Sequence, residues 1–170
     1  MKRRCILEAE KKLEGLSPDW ETVLLQARRE RLAAGDERVN TAHFLISCLK
    51  IPHCPAFRIL TRLGVTITQL QDALAETSPV SLKFRKRVLR PRRFLARELR
   101  AALRSACRES EKMKEKGVGN GRLTSGHFLL GFLRHPKCLA ALALNRLGIG
   151  YDQARQAFLE NPPSTGTQEA

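Results

Sequence analysis

Aromatic residues are scarce in this sequence: one Trp, one Tyr and 7 Phe, together 5% of the chain. A surface of stacking rings for single-stranded nucleic acid is therefore not expected. No apolar run approaches the ~18–20 residues that span a bilayer, so no membrane partner is expected. The N-terminus MKRRCILEAEKKLEGL begins basic but lacks the apolar stretch of a secretion signal. Glu8, Glu10 and Glu14 also count against a transit peptide. The expectation is a soluble, cytoplasmic protein. The cysteines (Cys5, Cys48, Cys54, Cys107 and Cys138) form no CxxC pair and are odd in number. Free thiols, partly buried as small apolar side chains, are the expected state. His53-Cys54 and His135 with Cys138 match no zinc spacing, so neither a metal nor a cofactor is expected. Acidic residues are outnumbered, 17 against 31 basic ones, which leaves a net charge of +14. That balance attracts polyanions, whether nucleic acid, an anionic membrane surface or an acidic protein face.

What is present is a repeat. Thr41–Glu76 (TAHFLISCLKIPHCPAFRILTRLGVTITQLQDALAE) aligns without a gap on Ser125–Glu160 (SGHFLLGFLRHPKCLAALALNRLGIGYDQARQAFLE), at a constant offset of 84. Identical pairs include His43/His127, Phe44/Phe128, Leu49/Leu133, Pro52/Pro136 and Cys54/Cys138. They continue through Leu60/Leu144, Arg62/Arg146, Gly64/Gly148 and Glu76/Glu160. The chain is a duplication.

Each unit reads as helices joined by short turns. Thr41, and Thr124 or Ser125, offer side-chain oxygens to cap a helix start. HFLISCL and HFLLGFL are apolar on nearly every face, as in a helix buried within a domain. Pro52 and Pro136 are expected to end that helix and begin the next. Ala56, Ile59, Leu60 and Leu63 then form one stripe, matched by Ala140, Ala143, Leu144 and Leu147. Gly64 and Gly148 supply the left-handed turn that ends it. A last helix is predicted over Thr68–Glu76 and over Asp152–Glu160. Upstream, Trp20, Val23, Leu24 and Ala27 share one helical face between Ser17-Pro18 and Gly35. A second upstream helix, about 92–116, uses Leu95, Leu99, Ala102, Leu103 and Ala106. The fold class is therefore all-α, two pseudo-symmetric four-helix repeats with a short extra N-terminal helix. The chain divides into an extension (1–16), repeat 1 (17–76), a basic linker (77–91), repeat 2 (92–160) and a disordered tail (161–170).

The motifs NTAHFLISCLK…AFRILTRLGVTITQL and TSGHFLLGFLR…ALALNRLGIGYDQA resemble the Clp N-terminal domain, the paired-repeat module of Clp AAA+ unfoldases. The resemblance runs from about Ser17 to Glu160. It implies a non-catalytic module that binds a protein partner: a Clp ATPase or protease subunit, an adaptor or a substrate. There is no G-x-x-x-x-G-K-[ST], and GVGNGRLT follows a helix and lacks the Lys, so no phosphate cradle is expected. The chain thus resembles a stand-alone Clp N-domain with an accessory or adaptor role. Some members of that family recognise phosphoarginine through an acidic residue before the repeat His and a hydroxyl before the preceding helix. The acidic positions correspond to Ala42 and Gly126; the hydroxyl survives as Ser17 but gives way to Arg90 or Arg92 in repeat 2. Phosphoarginine binding is not expected, because no carboxylate is left to pair with a guanidinium.

The candidate partner-binding residues are Lys83, Arg85, Lys86, Arg87, Arg90, Arg92 and Arg93, a basic run with no acid among them. Long-range attraction would steer an acidic partner to this segment. The alternative is a basic nucleic-acid-binding protein that uses the Clp-like helical scaffold, with affinity falling steeply in salt. His43 and His127, in identical settings at helix starts, are expected to be structural. Catalysis is not expected, since no orienting group stands behind a Cys–His pair.

Overall fold

A computed structural model describes residues 17–77, 97–117 and 122–160 of the chain. The N-terminal extension, the basic run Lys83–Arg93 and the tail lie outside the described residues, and with them the predicted N-terminal helix. The helices are α1 (Pro18–Ala34), α2 (Thr41–Lys50), α3 (Pro55–Arg62) and α4 (Ile67–Thr77) in repeat 1. Repeat 2 contributes α5 (Arg97–Glu115), α6 (Ser125–Leu133), α7 (Leu139–Arg146) and α8 (Tyr151–Glu160). Among the described residues, the only strand-like positions are isolated bridges at Val39 and Leu123.

α1 begins at Pro18, whose fixed φ suits the first turn, with Asp19 and Glu21 at the positive end of the helix dipole. It ends at Gly35, in left-handed conformation at φ 71°. Its buried stripe is Trp20, Val23 and Ala27. Leu99, Ala102 and Ala106 repeat that spacing in α5 and are equally buried. These first helices match at an offset of 79 rather than 84, so the extra residues of repeat 2 lie between α5's buried stripe and α6.

Two expectations are corrected in detail. The cap of α2 is Asn40, whose side chain accepts from the His43 N–H at 3.1 Å. Thr41 instead sits inside the first turn and points its hydroxyl at the other repeat. Pro52 and Pro136 stay in the turns: α3 starts at Pro55 and α7 at Leu139. The caps there are Cys54 and Cys138, whose sulfurs accept from the N–H of Phe57 and Ala141 at 3.3 and 3.4 Å. The Gly64 and Gly148 turns are as expected, at φ 75° and 76°. Each is followed by a backbone bond back into its helix, Val65 to Leu60 and Ile149 to Leu144, both 2.9 Å.

The repeats share one core by exchanging neighbours. α3 packs on α6 and α8, and α4 packs on α7. The bonds across this joint are reciprocal. Ala56 N–H donates to Ser125 Oγ at 3.1 Å, and Ala140 N–H donates to Thr41 Oγ1 at 3.2 Å. Arg62 pairs with Glu160, and Arg146 with Glu76. At the centre Phe44 and Phe128, equivalent residues, lie 5.3 Å apart. Trp20 stacks on Phe128 with centroids 3.7 Å apart, so an indole from repeat 1 closes against a ring of repeat 2. α6 is buried at every residue. A methyl added at Gly131 would meet the Ala102 carbonyl oxygen at 2.5 Å, so α5 and α6 touch backbone to backbone there.

Candidate interaction surface

The histidines turn out to be capping devices. Asn40 N–H donates to His43 Nδ1 and Thr124 N–H to His127 Nδ1, each at 3.2 Å. The imidazole fills the role that Glu or Gln has in a capping box, satisfying a backbone donor at the helix start. Accepting through Nδ1 requires the neutral ring. Burial enforces this, lowering the His43 pKa and holding His127 at about 4. The cysteines are equally occupied. Cys54 Sγ also donates to the Cys48 carbonyl and Cys138 Sγ to that of Phe132, both at 3.5 Å. The hydrogen bond with Cys48 draws the Cys54 thiol down to about 7, while burial raises Cys138. With only 3% of Cys54 exposed, that thiol is shielded from reagents. No group of three His, Cys, Asp or Glu suited to a metal occurs among the described residues.

Around the two positions where the family resemblance would place a carboxylate, the geometry is closed in repeat 2. A Cβ at Gly126 would come within 2.5 Å of the Phe158 ring. Ser17 is buried, and its hydroxyl bonds Leu123 O at 3.0 Å and also contacts Asp19. Asp19 in turn accepts from Ser125 N–H at 3.0 Å. The Ser17 hydroxyl and Asp19 therefore tie the start of α1 to the start of α6.

An open groove of about 430 Å³ lies where α5, the end of α6 and the start of α8 meet. Its floor is Glu109, only 3% exposed. One carboxylate oxygen takes Arg134 Nε at 2.6 Å and the other takes the Tyr151 hydroxyl at 2.9 Å. Arg134 also donates to that hydroxyl at 2.9 Å, and its guanidinium lies 4.6 Å from the Tyr151 ring centroid. Arg108 and Lys112, one turn apart on α5, line the same groove and are exposed. The sequence reading missed these residues. The signal for them was a break in the repeat: Tyr151 stands opposite Ile67, and Lys112 opposite Ala33 once the first helices are aligned.

Two reciprocally bonded four-helix repeats around one core define an all-α double-repeat fold. The chain has the fold of the Clp N-terminal domain. The N-domain of ClpV from Vibrio cholerae superposes with a TM-score of 0.69 at 20% identity, covering 92% of each chain. The N-terminal domain of the chaperone ClpD from Arabidopsis thaliana gives 0.64 at 17% identity, covering 86% of this chain and 94% of that one. In sequence, the chaperone protein ClpB of Oceanobacillus iheyensis is 25% identical over 138 residues, 81% of this chain. That stretch is 16% of ClpB's own length. No family model matches the chain. No described helix is long and apolar enough to cross a membrane.

Proposed function

We propose that this chain is a non-catalytic protein-recognition module, accessory or adaptor-like, that works with Clp chaperones in substrate or adaptor recognition. The observation that carries this reading is the whole-length likeness to the N-domains of ClpV and ClpD, together with the sequence match to the chaperone ClpB. The repeated His and Cys pairs support it too, because each is engaged in starting a helix rather than facing a substrate. The basic run Lys83–Arg93 adds long-range steering toward an acidic partner. No phosphoarginine binding is expected: Ala42 and Gly126 offer no carboxylate, and in repeat 2 the Phe158 ring lies where a side chain at Gly126 would start.

The test is a pull-down from native lysate at physiological salt, with and without nuclease, read by mass spectrometry. Clp ATPase or protease subunits are expected to remain after nuclease. A catch of ribosomal and nucleoid proteins that vanishes with nuclease would overturn the reading in favour of nucleic acid. A variant with Arg85, Lys86, Arg87, Arg92 and Arg93 changed to Ser should bind more weakly and with less salt dependence. Unchanged affinity would remove that segment from the mechanism.

A further inference from the structure

We propose that the groove between α5, α6 and α8 is a binding site for an acidic peptide segment of a partner protein. The charge is the first ground. Arg108, Lys112 and Arg134 face a single carboxylate, Glu109, which is buried and already holds two hydrogen bonds. Neither Arg108 nor Lys112 has an acidic partner among the described residues, and like charges one turn apart on a helix repel each other. An incoming carboxylate relieves that repulsion and adds charge-assisted hydrogen bonds.

The second ground is a comparison within the molecule. Repeat 1 builds the same frame: Glu30 pairs with Lys50 at 2.8 Å, as Glu109 pairs with Arg134. It does so with Ala33 where repeat 2 has Lys112, and with Ile67 where repeat 2 has Tyr151. The frame therefore does not need the second cation, whereas the phenol serves the buried Glu109 as Gln26 serves Glu30, donating to its carboxylate. The presence of Lys112 in repeat 2 alone, beside an open volume of about 430 Å³, is what ligand binding explains and folding does not.

The groove favours a peptide over nucleic acid. It holds one aromatic ring, already covered by the Arg134 guanidinium, so no platform for base stacking exists. A peptide also finds an apolar wall in Leu133 beside the cations. This inference deepens the proposed recognition role but stands on the groove's own geometry.

The experiment is fluorescence anisotropy of the full chain at 0.15 M-scale salt (about physiological) with a labelled (Glu-Leu)-repeat decapeptide. The matching (Gln-Leu) peptide and an oligo-dT are run beside it. Wild type should prefer the acidic peptide about tenfold over the neutral one. Arg108→Ser with Lys112→Ser should weaken it about tenfold, and Lys112→Ala, which installs repeat 1's residue, several-fold. Both sites are exposed, so the melting curve by circular dichroism should be unchanged. Equal affinity for the two peptides, no binding by wild type, or full binding by the double variant would each overturn the proposal. So would oligo-dT bound more tightly than the peptide and lost in the double variant. Any of these results leaves the Clp assignment to the lysate experiment, where retention of Clp subunits does not depend on this groove.

Discussion

His127 accepts the Thr124 N–H through Nδ1, so the α6 start keeps its cap only while that ring is neutral. Burial lowers the folded pKa to about 4, against 6.5 for an unperturbed ring, while Glu109 and Asp19 pull weakly the other way. Between those values the unfolded chain binds the proton and the folded chain does not. Stability is therefore complete above pH 6.5 and falls as pH drops toward 4, by on the order of 3 kcal/mol from this residue. His127→Gln keeps an acceptor at the same place but cannot titrate. Thermal melts at pH 7 and pH 4.5 should show a smaller acid loss in that variant, the remainder coming partly from His43. Close by, calorimetric titration with a phosphoarginine peptide should give no heat of binding; micromolar affinity would contradict the reading of Gly126. Gly126→Glu should destabilise rather than restore a site, since its Cβ alone collides with Phe158. The sequence marks His43 and His127 as structural, but not how. A histidine in place of Glu or Gln in a capping box becomes visible only once the N-cap N–H is seen to need an acceptor.

At the scale of elements, the helices themselves were legible because the gapless offset displays each boundary twice. The predicted final helices are within one residue of those found. Their partners were not legible. An offset of 84 says that Thr41 and Ser125 are equivalent, and says nothing of the fact that each caps the other repeat's third helix. Proximity across the joint depends on the turn geometry after Lys50 and Leu133, which periodicity does not encode. The groove was illegible for the same reason, since three helices contribute to it and a helical stripe describes one at a time. Thr41→Val preserves shape but leaves the Ala140 N–H buried without an acceptor, which costs about 1–3 kcal/mol. Urea denaturation should show a lower midpoint with an unchanged slope. Ser125→Ala should do the same to Ala56. If both variants melt like wild type, the reciprocal bonds contribute nothing to the joint. The exposed pairs Arg62–Glu160 and Arg146–Glu76 should matter less, about 0–1 kcal/mol each.

In the whole molecule, exchange of neighbours means that neither repeat owns a core. α3 and α4 bury their faces on α6, α7 and α8, so residues 17–77 alone should remain largely unfolded by circular dichroism. A cooperative melt of that fragment would contradict the shared core. Trp20, the single indole, stacks on Phe128 of the other repeat and so reports on the joint itself. Its fluorescence change should coincide with the loss of helix in one transition. α6 is where these constraints converge. All of its residues are buried, Gly131 admits no side chain against α5, and Gly126 admits none against Phe158. α2, its counterpart, carries Ala42 and Ser47 at those two places. A survey of every single substitution would therefore draw the duplication as a lopsided pattern, more tolerant at Ala42 and Ser47 than at Gly126 and Gly131. The symmetry of the backbone has outlived the symmetry of what mutation allows.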